Sequence, residues 1–121
     1  MQLMFLGTES EGGESPTLYA TDRDSYVVQG YVVTDDEVLA KLDTPEGETV
    51  VEVYARLFTH LAEDGVTGTV TSWVAPIVHV RETGNYIVQG IRLDHDVRQQ
   101  MAIPDHEDAV EVPKAAILAL L

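Results

Sequence analysis

The sequence predicts an α+β domain made of two like halves arranged as a tandem duplication, and three observations lead there. First, Pro16 is followed at ten residues by Tyr26-Val27-Val28-Gln29-Gly30, and Pro76 at the same distance by Tyr86-Ile87-Val88-Gln89-Gly90. Pro45-Glu46-Gly47-Glu48-Thr49-Val50-Val51-Glu52-Val53 likewise matches Pro104-Asp105-His106-Glu107-Asp108-Ala109-Val110-Glu111-Val112. Setting 16–36 against 76–96 and 38–62 against 97–121 makes 13 of 46 positions identical, which argues for a repeat rather than coincidence in a Val-rich chain. Second, each copy runs through β-branched hairpin, short helix, strand and amphipathic helix in the same order. Third, 121 residues hold one core of ordinary size, so the copies are expected to share it.

Each element has a local reason. Residues 3–6 are an apolar run that reads as a first strand. Residues 17–21 and 26–33 are β-branched and aromatic, separated by the turn formers Asp22-Arg23-Asp24-Ser25, and so form a hairpin. Thr34 is a candidate N-cap, with Asp35, Asp36 and Glu37 in the first turn, where a helix favours negative charge. Val38, Leu39 and Leu42 follow at helical spacing. A Pro/Gly/Glu loop leads to a strand at 49–53, and Tyr54, Leu57, Phe58, Leu61 and Ala62 make one helical stripe that Gly65 stops. The second copy repeats this: 69–74 as leading strand, 77–81 and 86–93 around Thr83-Gly84-Asn85, a short helix after Asp94, and a closing helix with Pro113 in its first turn. The units are thus 1–62 and 76–121, with 63–75 as connector and leading strand.

A unit of about 60 residues buries too little of its unfolded surface to stand alone. Residues 26–33 and 86–93 are apolar on both alternating faces, which calls for cover on both sides. The expected covers are the unit's own helix on one side and the sister unit, across a pseudo-two-fold, on the other.

Composition narrows the function. Seven Lys and Arg stand against 21 Asp and Glu, a formal charge of −14 with pI near 4.3, which opposes direct binding to nucleic acid or to an anionic membrane. No Cys is present, which removes disulfides, thiolate metal sites and Cys nucleophiles. The start of the chain has no basic segment followed by an apolar core, and no run approaches the ~18 apolar residues of a membrane span, so a cytoplasmic protein is expected. His60, His79, His95 and His106 fall at no metal-binding spacing; Asp94-His95-Asp96 and Asp105-His106-Glu107-Asp108 read as solvated turns. Ser10, Ser15, Ser25 and Ser72 lie in no nucleophile elbow, and Gly12-Gly13 is followed by Glu14, the wrong charge for a phosphate cradle. Catalytic residues, metals and cofactors are therefore expected to be absent.

The most distinctive element is Tyr-x-Val-Gln-Gly. A buried amide costs about 1–3 kcal/mol unless it is hydrogen-bonded, so Gln29 and Gln89 either bond across the interface between the halves or line a recognition surface with Tyr26 and Tyr86. An acidity beyond what solubility requires points to steering toward a basic partner. Glu9, Glu11, Glu14, Asp22, Asp24, Asp35 and Asp36 form the first acidic patch to consider. The candidate partner-binding residues are Tyr26, Gln29, Tyr86, Gln89, Asp22, Asp24, Asp35 and Asp36.

The stretch Ser15-Pro16-Thr17-Leu18-Tyr19-Ala20-Thr21-Asp22-Arg23 with Tyr26-Val27-Val28-Gln29-Gly30, then Pro45-Glu46-x-Glu48-Thr49-Val50-Val51-Glu52-Val53, resembles small actinobacterial (Streptomyces-type) proteins with one such unit. These are accessory proteins found beside helix-turn-helix regulators, in the setting of the BldB-like group. The resemblance implies a non-enzymatic factor that binds and modulates a basic partner, a DNA-binding regulator, as a monomer by internal pairing or a weak homodimer. Copy two departs from it by losing the Tyr-Ala-Thr-Asp-Arg stretch and by carrying Pro113 where copy one has Tyr54. Two alternatives are a DNA-mimic inhibitor of a nucleic-acid enzyme and a small-ligand site between the repeats.

Overall fold

The computed structural model describes residues 1–9 and 16–121. Its α+β architecture rests on seven antiparallel strands: β1 (Leu3–Thr8), β2 (Thr17–Thr21), β3 (Ser25–Val32), β4 (Glu48–Val53), β5 (Ile77–Val80), β6 (Tyr86–Arg92) and β7 (Glu107–Pro113). The helices are short: α1 (Asp36–Leu39), a 3₁₀ helix (Ala55–Asp64), α2 (His95–Arg98) and α3 (Lys114–Leu118). Strand order is β1-β2-β3-β4-β6-β5, and β7 pairs with both β3 and β6. Strands β3, β4, β6 and β7 therefore close into a ring, with β1-β2 and β5 continuing outward from it.

The ring has two long ladders and two short ones. β3 pairs with β7 from Ser25↔Pro113 to Tyr31↔Glu107, and β4 pairs with β6 from Glu48↔Ile91 to Val53↔Tyr86. Advancing β3 by 60 residues and moving β7 back by 59 converts one ladder into the other: Gln29↔Ala109 becomes Gln89↔Val50, and Tyr26↔Val112 becomes Tyr86↔Val53. The short ladders obey the same shift, Tyr31↔Glu52 and Val32↔Val51 going to Ile91↔Glu111 and Arg92↔Val110. The outer hairpins agree at Ala20↔Tyr26 and Val80↔Tyr86, then part at a bulge between Ile77 and His79.

Inside the ring, Tyr26, Val28, Val51, Val53, Val88, Val110 and Val112 pack with Leu57, Phe58 and Leu61 of the 3₁₀ helix and with Ile117 of α3. Side chains thus fill the place where the halves meet. Two smaller clusters cover the outer faces. Val27 of β3 lies under Leu93 and Val97, with Met101 and Ile103 beside them. Ile87 of β6 lies under Val33, Val38 and Val50, with Leu42 and Val78. Each central strand thus packs with the closing helices on the ring side and lies under the opposite half's short helix on its outer face, the two covers expected, because the β3–β7 and β4–β6 pairings carry each short helix across to the other half.

Three local expectations change. The segment 69–74 forms no strand; the amides of Thr71 and Ser72 donate to the Leu120 carbonyl at 2.7 and 3.2 Å, so this segment follows the chain end instead of a sheet edge. Asp35, not Thr34, caps α1, accepting from the amides of Glu37 and Val38. The stripe after β4 winds as a 3₁₀ helix, and Gly65 ends it at φ 75° as expected.

Gly30 and Gly90 hold the ring's tight corners. A Cβ on Gly30 would lie 2.5 Å from the Glu52 carbonyl oxygen, and one on Gly90 2.6 Å from that of Glu111. Backbone cannot yield as a side-chain tip can, so the close strand approach requires glycine at both. Gly30→Ala and Gly90→Ala should each destabilise by about 3 kcal/mol, whereas Gly84→Ala, in open space at φ 89°, should cost only about 1 kcal/mol. Urea unfolding of the three variants checks the ranking; equal costs would contradict the packing.

Candidate functional site

Of the residues singled out in the sequence, Gln29 and Gln89 lie on the seam between the halves. Gln29 Nε2 donates to the buried Glu107 Oε1 at 3.2 Å and to the Ala102 carbonyl at 3.1 Å, while Gln89 Nε2 donates to Glu48 Oε1 at 3.2 Å. These are the same bond under the ladder shift. The repeated Val-Glu-Val glutamates behave alike: Glu111 accepts from Ser25 Oγ and pairs with Arg23, both at 2.6 Å, and Glu52 accepts from Asn85 Nδ2 at 2.9 Å with Arg81 at 3.6 Å. Each glutamate thus ties down the hairpin turn of the opposite half. A charge-assisted hydrogen bond at a half-buried seam fixes register as well as adding stability.

Tyr26 is fully buried and Gln29 only 4% exposed, so neither offers a surface to a partner, and the recognition reading of these two is corrected. The Tyr26 hydroxyl donates to Asp64 Oδ2 at 2.8 Å, and Lys114 Nζ stands 3.2 Å from the same oxygen. Burial pushes the Tyr26 phenol well above its ordinary range, and its hydrogen bond holds the Asp64 carboxyl below the usual carboxylate range. Tyr86 is half-buried, its ring 5.7 Å from that of Phe58, and Gln89 is half-buried too. Sequence reasoning passed over Glu48, Glu52, Glu111 and Asp64, and its reading of Glu107 within a solvated turn is corrected, since Glu107 opens β7 and is only 4% exposed. Glu48, Glu52, Glu107 and Glu111 recur at matching positions of the two aligned segments, which was the available signal.

The acidic candidates divide. Asp22 is exposed and accepts from the Gln2 amide, a bond that lowers its pKa. Asp24 is exposed at a turn with φ 58°, and its carbonyl receives the Lys114 amide. Asp35 is held by Arg81 at 3.1 Å and by its capping bonds, which lower its pKa in that order. Asp36 is exposed in the first turn of α1. Glu9 pairs with Arg56 and lies 3.3 Å from His60 Nε2. Ser10, Glu11, Gly12, Gly13, Glu14 and Ser15 lie outside the described residues.

Among the described residues, Arg23, Arg56, Arg81, Arg98 and Lys114 form ion pairs. The segments covering the outer faces present Asp36, Glu37, Asp43 and Glu46 on one and Asp94, Asp96 and Asp105 on the other, all exposed. Among the described residues there is no group of three His, Asp or Glu able to hold a metal ion, and no helix long and apolar enough to cross a membrane. Comparison of the chain with protein-family models, curated proteins and solved structures returned no match.

Tyr26→Phe should lower stability by roughly 1–2 kcal/mol at neutral pH through loss of the bond to Asp64. The Asp64 contribution is present above its unfolded pKa near 3.8 and lost as pH falls through the lowered folded value. The Tyr26 contribution is present below its unfolded pKa of 10.0 and lost as pH rises beyond it toward the raised folded value. Denaturation midpoints measured across pH should therefore show a plateau with both flanks in the parent, and a flatter alkaline flank in the variant. Parallel curves would contradict the assignment.

Proposed function

We propose that this protein is a non-enzymatic acidic binding module, built by tandem duplication from units at 1–62 and 76–121, that associates with a basic protein and modulates it, the partner being a DNA-binding regulator. The shared register shift supports the duplication: all four ladders of the ring map onto one another with the offsets that align the sequence repeat. One observation carries the binding reading. The positive side chains are largely engaged within the fold, while seven carboxylates of the two covering segments face solvent. A molecule so arranged projects a negative field from two outer faces, which raises encounter rates with a cationic surface and makes them depend on salt.

The acid-rich faces also make sense of where the hydrogen-bonding side chains went. Gln29 and Gln89 hold the seam together, leaving exposed Asp and Glu as the groups available to a partner. Asp22, Asp24 and Asp36 belong to that exposed set, and Asp35 contributes while anchored by Arg81.

The test is co-purification at low salt followed by association kinetics on the recovered protein. The parent should recover a basic partner whose on-rate falls steeply between about 50 and 500 mM salt, as screening shortens the reach of the field. Reversing charge with Asp36→Lys, Asp43→Lys and Glu46→Lys should cut the low-salt on-rate at least about tenfold and leave the off-rate less changed. A partner whose binding ignores both salt and the reversals would overturn the reading.

A further inference from the structure

We propose that the protein carries a small-molecule site for an arylalkylammonium ion, a primary amine on a short aromatic chain, in a cleft at the β6–β7 corner. The cleft has a volume of about 290 Å³. Ile91, Pro113 and Ala116 give it apolar walls, and Glu48, Gln89 and Glu111 are its polar groups. A neighbouring hollow of about 180 Å³ shares Ile91, Glu111 and Pro113 and extends to Arg23, Asp24 and Ser25, with Arg23 neutralised by its pairing to Glu111. The site lies off the filled centre of the ring, and it does not rest on the existence of a basic protein partner.

The other half of the molecule indicates what this corner accommodates. Under the shift that relates the ladders, Ile91, Pro113 and Ala116 correspond to Tyr31, Tyr54 and Leu57. There the two phenol rings pack edge to face with centroids 6.0 Å apart, their hydroxyls 3.2 Å from each other, and Leu57 is fully buried. Smaller residues at all three positions leave the second corner open, with Ile91 53% exposed. An apolar wall left to water gains from a ring laid against it, and an aromatic ring is what the first corner supplies from its own chain.

The polar groups select the sign of the ligand. Glu111 already receives Ser25 and Arg23. Glu48 receives Gln89 on Oε1, while its Oε2 makes no hydrogen bond within the described residues. One unneutralised carboxylate beside an apolar cleft calls for a single cationic donor, since an anion would meet repulsion and a neutral ring would leave the oxygen unmatched. A ring, two methylenes and an ammonium group suit a cavity at the small end of ligand sites.

The test is an amide-resolved NMR titration of the full chain with 2-phenylethylamine, and with 3-phenylpropanoate as the probe of opposite charge. The amine should give saturable shifts confined to Glu48, Ala75 and residues 89–91 and 111–116 with Kd near or below about 1 mM, and the carboxylate should give none. Glu48→Gln keeps the acceptor for Gln89 and removes the charge, and should weaken the amine roughly tenfold. Ile91→Tyr with Ala116→Leu restores two of the three first-half side chains, fills the cleft and should abolish saturable binding. Linear shifts up to about 20 mM amine, an equal response to the carboxylate, or unchanged binding to Glu48→Gln would each overturn the proposal. If the filled variant does not fold, the opposite-charge probe and Glu48→Gln decide alone.

Discussion

Everything in this fold depends on exchange between its halves: β3 takes β7 as its long partner, and β6 takes β4. A strand that is apolar on both faces cannot be satisfied by one unit, because the residues following it leave in the short helix that covers the opposite half. Val27 is buried by Leu93 and Val97, Ile87 by Val33 and Val38. Removing either half would uncover the outer face of the strand that remains and take away its long ladder partner, so the two segments are stable together or not at all.

The polar network follows from that exchange. Strands that meet across the seam must be told their register, since a slip of one residue would turn valines outward and glutamates in. Gln29 with Glu107 and Gln89 with Glu48 mark the ladders, while Glu111 with Ser25 and Glu52 with Asn85 pin the hairpin turns. The glycines after the glutamines let the strands cross where a methyl group would strike a carbonyl. Because Arg23, Arg81 and Arg98 are engaged in the same network or at its edge, the surface is left with carboxylates. Structural need thus sets the electrostatic character from which a binding role is inferred.

Much of this was legible in the sequence. The hairpins, the strands rich in valine, the acidic first turns of α1 and α2 and the stop at Gly65 all follow from local chemistry, and the α+β class follows from their order. What stayed hidden is relational. Periodicity states that both faces of 26–33 are buried but not that Leu93 and Val97 of the other half's short helix are what bury Val27. Thr69 to Val74 has strand-like composition, yet the free carbonyl of Leu120 captures its amides first. Thr34 and Asp35 are both good caps, and Arg81, distant in sequence, stabilises the carboxylate at Asp35. Tyr26 and Gln29 looked like recognition residues because an amide in an apolar strand needs a partner. That partner turned out to be Glu107, 78 residues away.

Native-state hydrogen exchange tests the interdependence of the halves most directly. Protected amides in β3 and β4, from one half, and in β6 and β7, from the other, should converge on one opening free energy with a single dependence on denaturant, as expected of one cooperative unit. If the strands of one half opened at a distinctly lower free energy while those of the other kept their protection, the claim that each half is folded by its sister would be contradicted.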